Sequence, residues 1–175
     1  LVLQADLVLS VLVPAEAAGV ASRIAEALQA TGADTPFVDC NAVSPKRVSA
    51  MDAAIRDAGA RFVDGSIVGY PPGIEPRPRI YVSGPDAGVM MALDSEFIEI
   101  KQLGDAIGRA SSLKMCCSAL TKGRSAVYLA FWTAAELMGL SDELRAELAS
   151  NSPDTLSDME RELPGLPTHA SKYAG

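Results

Sequence analysis

Histidine is almost missing from this chain: His169 is the only one in 175 residues. A single imidazole argues against a histidine-dependent nucleophilic triad and against a histidine-built metal site. Cysteine is scarce too, with Cys40, Cys116 and Cys117 only. Their number is odd, and the adjacent pair falls in a helical pattern where disulfide geometry is poor, so all three read as small buried hydrophobes. No C-x-x-C, H-x-x-x-H or carboxylate cluster has ligand spacing, and no metal is expected. Lys and Arg number 15 against 22 Asp and Glu, a net charge of −7 with no basic face, which speaks against a nucleic-acid partner. No apolar run is long enough to cross a bilayer, and the opening LVLQADLVLSVLVP lacks the basic leader and small-residue cleavage pattern of a signal peptide. The expected setting is therefore cytoplasmic, with no membrane partner.

What the chain does contain is apolar residues at 49% of positions, enough for a substantial core. Residues 6–13, DLVLSVLV, form a β-branched and aliphatic run, the pattern of a strand covered on both faces of a parallel sheet. A helix follows over residues 15–31, with Val20, Ile24 and Leu28 at helical spacing and Gly32 as terminator. Residues 36–41, PFVDCN, give a second strand. Ser44-Pro45 has the form of an N-cap with proline in the first turn, opening a helix to about Ala58. Residues 61–68, RFVDGSIV, are a third strand. Strands joined by helices are βαβ units, so a parallel α/β sheet is expected, with ligands at the carboxyl ends of its strands.

The next stretch, GYPPGIEPRPR, holds too many Pro and Gly for helix or inner strand and reads as a lid or a surface connection. Residues 80–83 and 97–100 give two short strands, with a helical turn starting at Gly84-Pro85. After residue 102 the pattern is helical throughout. A long helix over about 105–139, with a break allowed near Gly123, precedes one capped by Ser141 and one opened by Ser152-Pro153. The expected architecture is a partial Rossmann-like parallel sheet in residues 1–102, followed by an all-α C-terminal domain in residues 103–175.

Within the long helix, residues 107–123 read IGRASSLKMCCSALTKG and place Lys114 among small and apolar neighbours. Ile107, Ser111, Lys114, Ser118 and Thr121 share one stripe beside an apolar one, so the lysine borders a packed face. It is either a snorkelling surface charge or an acid/base group.

The order of these parts resembles the β-hydroxyacid dehydrogenase superfamily, which includes 6-phosphogluconate and 3-hydroxyisobutyrate dehydrogenases, and within it the phosphogluconate-dehydrogenase-like NAD(P) oxidoreductases. Four passages carry the resemblance: ADLVLSVLVP, VDCNAVSP, FVDGSIVG and GRASSLKMCCS, the last keeping a Gly, five residues, Lys spacing. The resemblance implies a hydride transfer between NAD or NADP and a small hydroxy acid or related carbonyl compound, with Lys114 as catalytic acid/base. It implies Ser66, Val68, Gly69 and Ser118 as substrate-binding residues, Val13, Pro14 and Asn41 against the cofactor, and a homodimer through the helical domain.

The sequence also departs from the family. Val68, Gly69 and Tyr70 stand where Ser-Gly-Gly is usual, and Ser118 replaces an Asn, so a shifted substrate is expected. Arg77 and Arg79 are candidates to hold a carboxylate or phosphate. No G-x-G-x-x-G turn occurs, although a dinucleotide domain opens on one. Either the glycine turn lies upstream of Leu1, which a first residue other than Met favours, or the chain does not bind a dinucleotide in the usual way. The resemblance also implies further C-terminal helices, expected after residue 175. A rival reading is a non-catalytic α/β–helical binding or assembly module, and a third is imine reduction.

Overall fold

The computed structural model describes residues 2–166. His169 and the end of the predicted helical domain lie outside the described residues. The chain forms two compact units, Leu1–Cys116 and Cys117–Gly175.

The first unit is built on a five-stranded sheet in sequential order, β1 (Val8–Ser10), β2 (Phe37–Asp39), β3 (Phe62–Val68), β4 (Arg79–Ser83) and β5 (Glu99–Gln102). Helices α1 (Ala17–Thr31) and α2 (Pro45–Asp57) carry the crossovers that make β1, β2 and β3 parallel. Gly32, at φ 66°, closes α1 in the left-handed conformation that glycine adopts without strain. Ser44 Oγ accepts from Arg47 N and opens α2 with Pro45 in its first turn, as the Ser-Pro pair predicts.

The sheet is not wholly parallel, because β4 runs antiparallel to β3. Residues 69–78 hold Pro71, Pro72, Pro76 and Pro78 and form no helix, so they cannot make a crossover, and the chain turns back beside the strand it has just left. Strand β5 is again parallel to β4, after a 3-10 helix at Ala87–Leu93.

Strand β1 is shorter and more exposed than its sequence predicts. Among the described residues it is an edge strand paired only with β2, and Leu9, Val11, Leu12 and Val13 are 39%, 54%, 44% and 63% exposed. An apolar run records a strand's capacity for burial, while actual cover depends on a neighbour that is not present among the described residues.

Alternating side chains divide the core between the two sheet faces. Phe37 and Phe62, with ring centroids 6.0 Å apart, pack with Leu28, Val48 and Ile55 on the α1–α2 face. Val38, Val63, Val82 and Met90 fill the other. Each such side chain contributes roughly 1.5–3 kcal/mol by its burial.

Helix α3 (Arg109–Met138) runs unbroken through Gly123, where the sequence allows a break. A lone glycine costs a helix only about 1 kcal/mol, which the surrounding turns outweigh. Its first turns belong to the first unit, so the units divide inside α3, whereas the change of sequence pattern at residue 102 marks the end of the sheet.

In the second unit α3 continues into α4 (Ser141–Asn151) and α5 (Pro153–Glu162). Ser141 is the first helical residue of α4 rather than its cap; Leu140 holds the cap position and no side chain caps the end. Arg124 pairs with Asp158 and Glu162, and Arg145 stacks 5.3 Å from the Trp132 ring while pairing with Glu160. Phe131, Met138, Leu140, Leu144 and Leu148 line an apolar groove of about 710 Å³. No helix among the described residues is long and apolar enough to cross a membrane.

Candidate functional site

Four polar residues stand in register across four neighbouring strands: Ser10 opposite Asp39, Asp39 opposite Asp64, and Asp64 opposite Ser83. In-register residues of a sheet project to the same face, so the four form one polar row. It is fully enclosed, at 4%, 0%, 0% and 0% exposure. Two buried carboxyls side by side demand hydrogen-bond partners, and each finds them from a different element.

Asp39 is served by Asn41, just past the end of β2. Asn41 Nδ2 donates to Asp39 Oδ1 at 2.5 Å and to Ser10 Oγ at 2.8 Å, while Asn41 Oδ1 accepts from Leu12 N at 2.5 Å. Both amide hydrogens are thereby spent within the protein. Asn41 acts as a clamp joining β2 to β1 and to the segment that follows it. Burial pushes the Asp39 carboxyl up to about 6, helped by the neighbouring Asp64 charge and opposed by the bonds from Asn41 and Ser10. Asp39 Oδ2 and Ser66 Oγ, on the same face, are buried without a protein partner.

Asp64 is served by the start of α3. Asp64 Oδ2 accepts from Ser111 N at 3.1 Å and Ser83 Oγ at 2.9 Å, and Asp64 Oδ1 accepts from Ser111 Oγ at 2.5 Å. Ser83 Oγ in turn accepts from Ala110 N at 3.1 Å. The first amides of a helix have no partners within it and carry the positive end of its dipole. Here β3 and β4 supply the cap that the local sequence of α3 does not.

One turn beyond Ser111, Lys114 Nζ donates to Ile67 O at 2.7 Å. The lysine is half-buried and reaches the last residues of β3, where Ser66, Val68 and Gly69 lie. Ser66 is buried, Val68 half-buried and Gly69 exposed at the entry to the proline-rich loop. Lys114, Ser66, Val68 and Gly69 are thus gathered at one strand end. Val13 and Pro14 follow β1 at the far edge of the same sheet, and the Asn41 clamp holds the segment they belong to. Ser118 lies four residues after Lys114 on α3, in the second unit.

Arg77 and Arg79 are engaged elsewhere. Arg77 Nη1 donates to Ser95 O at 2.6 Å and Arg79 pairs with Glu99 at 3.3 Å, so both tie the loop and its strand to β5 and the segment before it. The cysteines also divide: Cys40 is buried as expected, whereas Cys116 is exposed and Cys117 intermediate, because α3 leaves that side uncovered. No cluster of His, Cys, Asp and Glu suited to a metal occurs among the described residues.

Motif and spacing do not single out Ser10, Asp39, Asp64 or Ser83, and they place Ser111 only in a helical stripe. A signal was present in the repeated FVD of β2 and β3, which sets a carboxyl at the third place of an otherwise apolar strand.

No protein-family model matches the chain. It is 31% identical over 144 residues to an uncharacterized 28.5 kDa protein of Methanothermus fervidus, covering 82% of this chain and 53% of that protein. The chain therefore spans about half the length of the curated relative it matches. Among solved structures, a conserved protein of unknown function described as structurally similar to 3-hydroxyacid dehydrogenases is 28% identical, with TM-score 0.71 over 96% of this chain and 63% of that one. An imine reductase variant from Myxococcus stipitatus, in complex with NAD⁺, has TM-score 0.66 at 17% identity, covering 96% and 60%. The 3-hydroxyisobutyrate dehydrogenase of Mycobacterium tuberculosis has TM-score 0.58 at 20% identity, covering 86% and 53%. At such identities the last two speak for the fold alone. In its fold, the chain is similar to the 3-hydroxyacid dehydrogenase-like and imine reductase proteins.

Proposed function

We propose that this chain is part of an NAD(P)-dependent oxidoreductase that moves hydride between a nicotinamide and a small hydroxy acid or related carbonyl compound, with Lys114 as its acid/base. The observation that carries the reading is the 2.7 Å bond from Lys114 Nζ to Ile67 O, at the carboxyl end of a strand in a largely parallel sheet. Such strand ends are where ligands of α/β sheets gather.

The residues present fit one end of the cofactor. Val11, Leu12 and Val13 offer exposed apolar surface after β1, suited to lie against a flat ring, and the clamp from Asn41 to Leu12 N fixes their backbone. For a pyrophosphate this sequence holds no G-x-G-x-x-G turn, so that end of the ligand needs donors from elsewhere. When bound, the nicotinamide supplies the hydride chemistry. Lys114 takes the proton from a substrate hydroxyl in oxidation and returns it to the oxygen in reduction. Ser66, Val68 and Gly69 border the substrate, Ser118 extends the same helix stripe, and Val13, Pro14 and Asn41 shape or brace the cofactor side. The helical unit pairs with that of a second copy through its apolar surface, which includes Val127 at 61% and Leu137 at 84% exposure.

The test is a panel of hydroxy acids with NAD⁺ and NADP⁺, and of ketoacids and cyclic imines with the reduced cofactors, on the full-length protein. Turnover that falls at least about 100-fold in Lys114→Ala supports the assignment, and unchanged turnover refutes it. Light scattering of the same protein decides the dimer.

A further inference from the structure

Lys114 can act on a substrate only while its ammonium is kept at the end of β3, and its stem is long and flexible. What keeps it there is the placement of α3. That helix is gripped by β3 at two points: Asp64 on Ser111, and Ile67 O on Lys114 one helical turn later. The second contact is a bond from the ammonium at the end of a flexible stem. The first is a set of short, buried bonds to a carboxyl that no solvent reaches, with Ser83 holding the adjacent amide of Ala110. A carboxylate at a helix N-terminus also interacts favourably with the helix dipole.

We infer that Asp64, acting through Ser111, is the positioning residue that sets where Lys114 lies along β3. The inference rests on the reading of Lys114 as the acid/base, and it assigns Asp64 no contact with substrate or cofactor. Ser111 Oγ and Ser111 N use both oxygens of the carboxyl, so the helix can neither slide nor rotate without breaking one of the two. Asp39, in register one strand away, is held instead by Asn41 and, through it, tied to the β1 side.

The experiment reads the position of Lys114 without relying on turnover. The full-length protein is treated with N-acetoxysuccinimide, and acetylation of each lysine is followed by mass spectrometry over pH 6–9. Ser111→Ala removes one donor to Asp64 and leaves the backbone bond, and Asp64→Asn removes the charge in the same volume. In both, Lys114 acetylation is expected to rise about tenfold, as one lost charge-assisted hydrogen bond would allow. Lys122, exposed further along the helix, serves as the internal control and keeps its rate. Ser111→Thr retains the hydroxyl and is expected to restore the original rate. Should Asp64→Asn fail to fold, Ser111→Ala and Ser111→Thr alone carry the comparison. An unchanged Lys114 rate in a folded Ser111→Ala protein, or a Thr variant as reactive as Ala, overturns the inference. The labelling result stands apart from the turnover of Lys114→Ala: a positioned lysine that proves dispensable refutes the catalytic reading, whereas an essential lysine indifferent to Ser111 refutes the positioning.

Discussion

Asp39 and Asp64 are neighbours in register on parallel strands, both wholly buried, and each is bonded on the side away from the other. Asn41 binds the first toward β1 and Ser111 the second toward α3. The sheet thus uses one carboxyl to fasten the segment beside the proposed cofactor and the other to fasten the helix of the proposed acid/base. Buried polar groups of this kind contribute little net stability compared with an apolar pair, but they penalise every arrangement that leaves them unpartnered.

The raised Asp39 carboxyl has a signature in stability against pH. Its folded value of about 6 lies above its ordinary value of 3.8, so the folded state binds the proton more tightly than the unfolded one. The resulting stability is fully present below pH 3.8 and is lost as pH rises through about 6. Asp39→Asn removes this dependence. The variant should gain on the parent by about 3 kcal/mol between pH 3 and pH 7, read from urea midpoints at several pH values. A difference that stays flat over that range contradicts the assignment.

Much of the first unit can be read from local sequence. The βαβ order, the Ser44-Pro45 helix start and the Gly32 stop follow from single residues and short spacings. The polar row is harder, because Ser10, Asp39, Asp64 and Ser83 are brought together by a register that no one segment encodes. The antiparallel return of β4 was available in the prolines of the loop, which rule out a crossover helix. Exposure along β1 depends on what lies beside the edge, and a run of eight residues carries no information about that. Lys114 was visible as a border residue of a helix, while its carbonyl partner Ile67 came only with the docking of α3 on β3.

Asn41 offers a second test, since its side chain serves three partners at once. Asn41→Ala leaves Leu12 N without its acceptor and Asp39 without the Asn41 amide. The expected cost is about 3 kcal/mol, within the range for unsatisfied buried groups. Hydrogen exchange at the Leu12 amide should accelerate well beyond that of neighbouring strand amides. The Asp39 carboxyl, no longer held down by Asn41, should titrate above about 6 by NMR. If Asn41 served only a bound ligand, none of these changes would occur in the free protein.

The cysteines should separate under a thiol reagent. Burial, together with the charges of Asp39 and Asp64, pushes the Cys40 thiol up to about 12, so it remains protonated and enclosed at neutral pH. Cys116 is exposed. With iodoacetamide at pH 8, peptide mapping should find Cys116 modified first and Cys40 only after unfolding. Early modification of Cys40 in folded protein would place the β2–β3 contact in error.

That contact is tight enough to be probed by a single methyl group. A Cβ built at Gly65 would lie 2.5 Å from Cys40 Sγ and 3.0 Å from Asp39 O, closer than packed atoms tolerate. Gly65 has no positive φ, so the clash arises from packing rather than from backbone conformation. Overpacking of this sort costs roughly 1–3 kcal/mol, and Gly65→Ala should lower thermal stability accordingly. Cys40→Ala removes the sulfur and with it the closer of the two contacts. The double variant Gly65→Ala, Cys40→Ala should therefore be more stable than the sum of the single changes predicts, by about 1 kcal/mol or more. The recovery should be partial, because the Asp39 carbonyl remains in place. Strict additivity in the double-mutant cycle would mean that the added methyl finds room elsewhere, and that β2 and β3 do not meet at Cys40 and Gly65 as closely as their register requires.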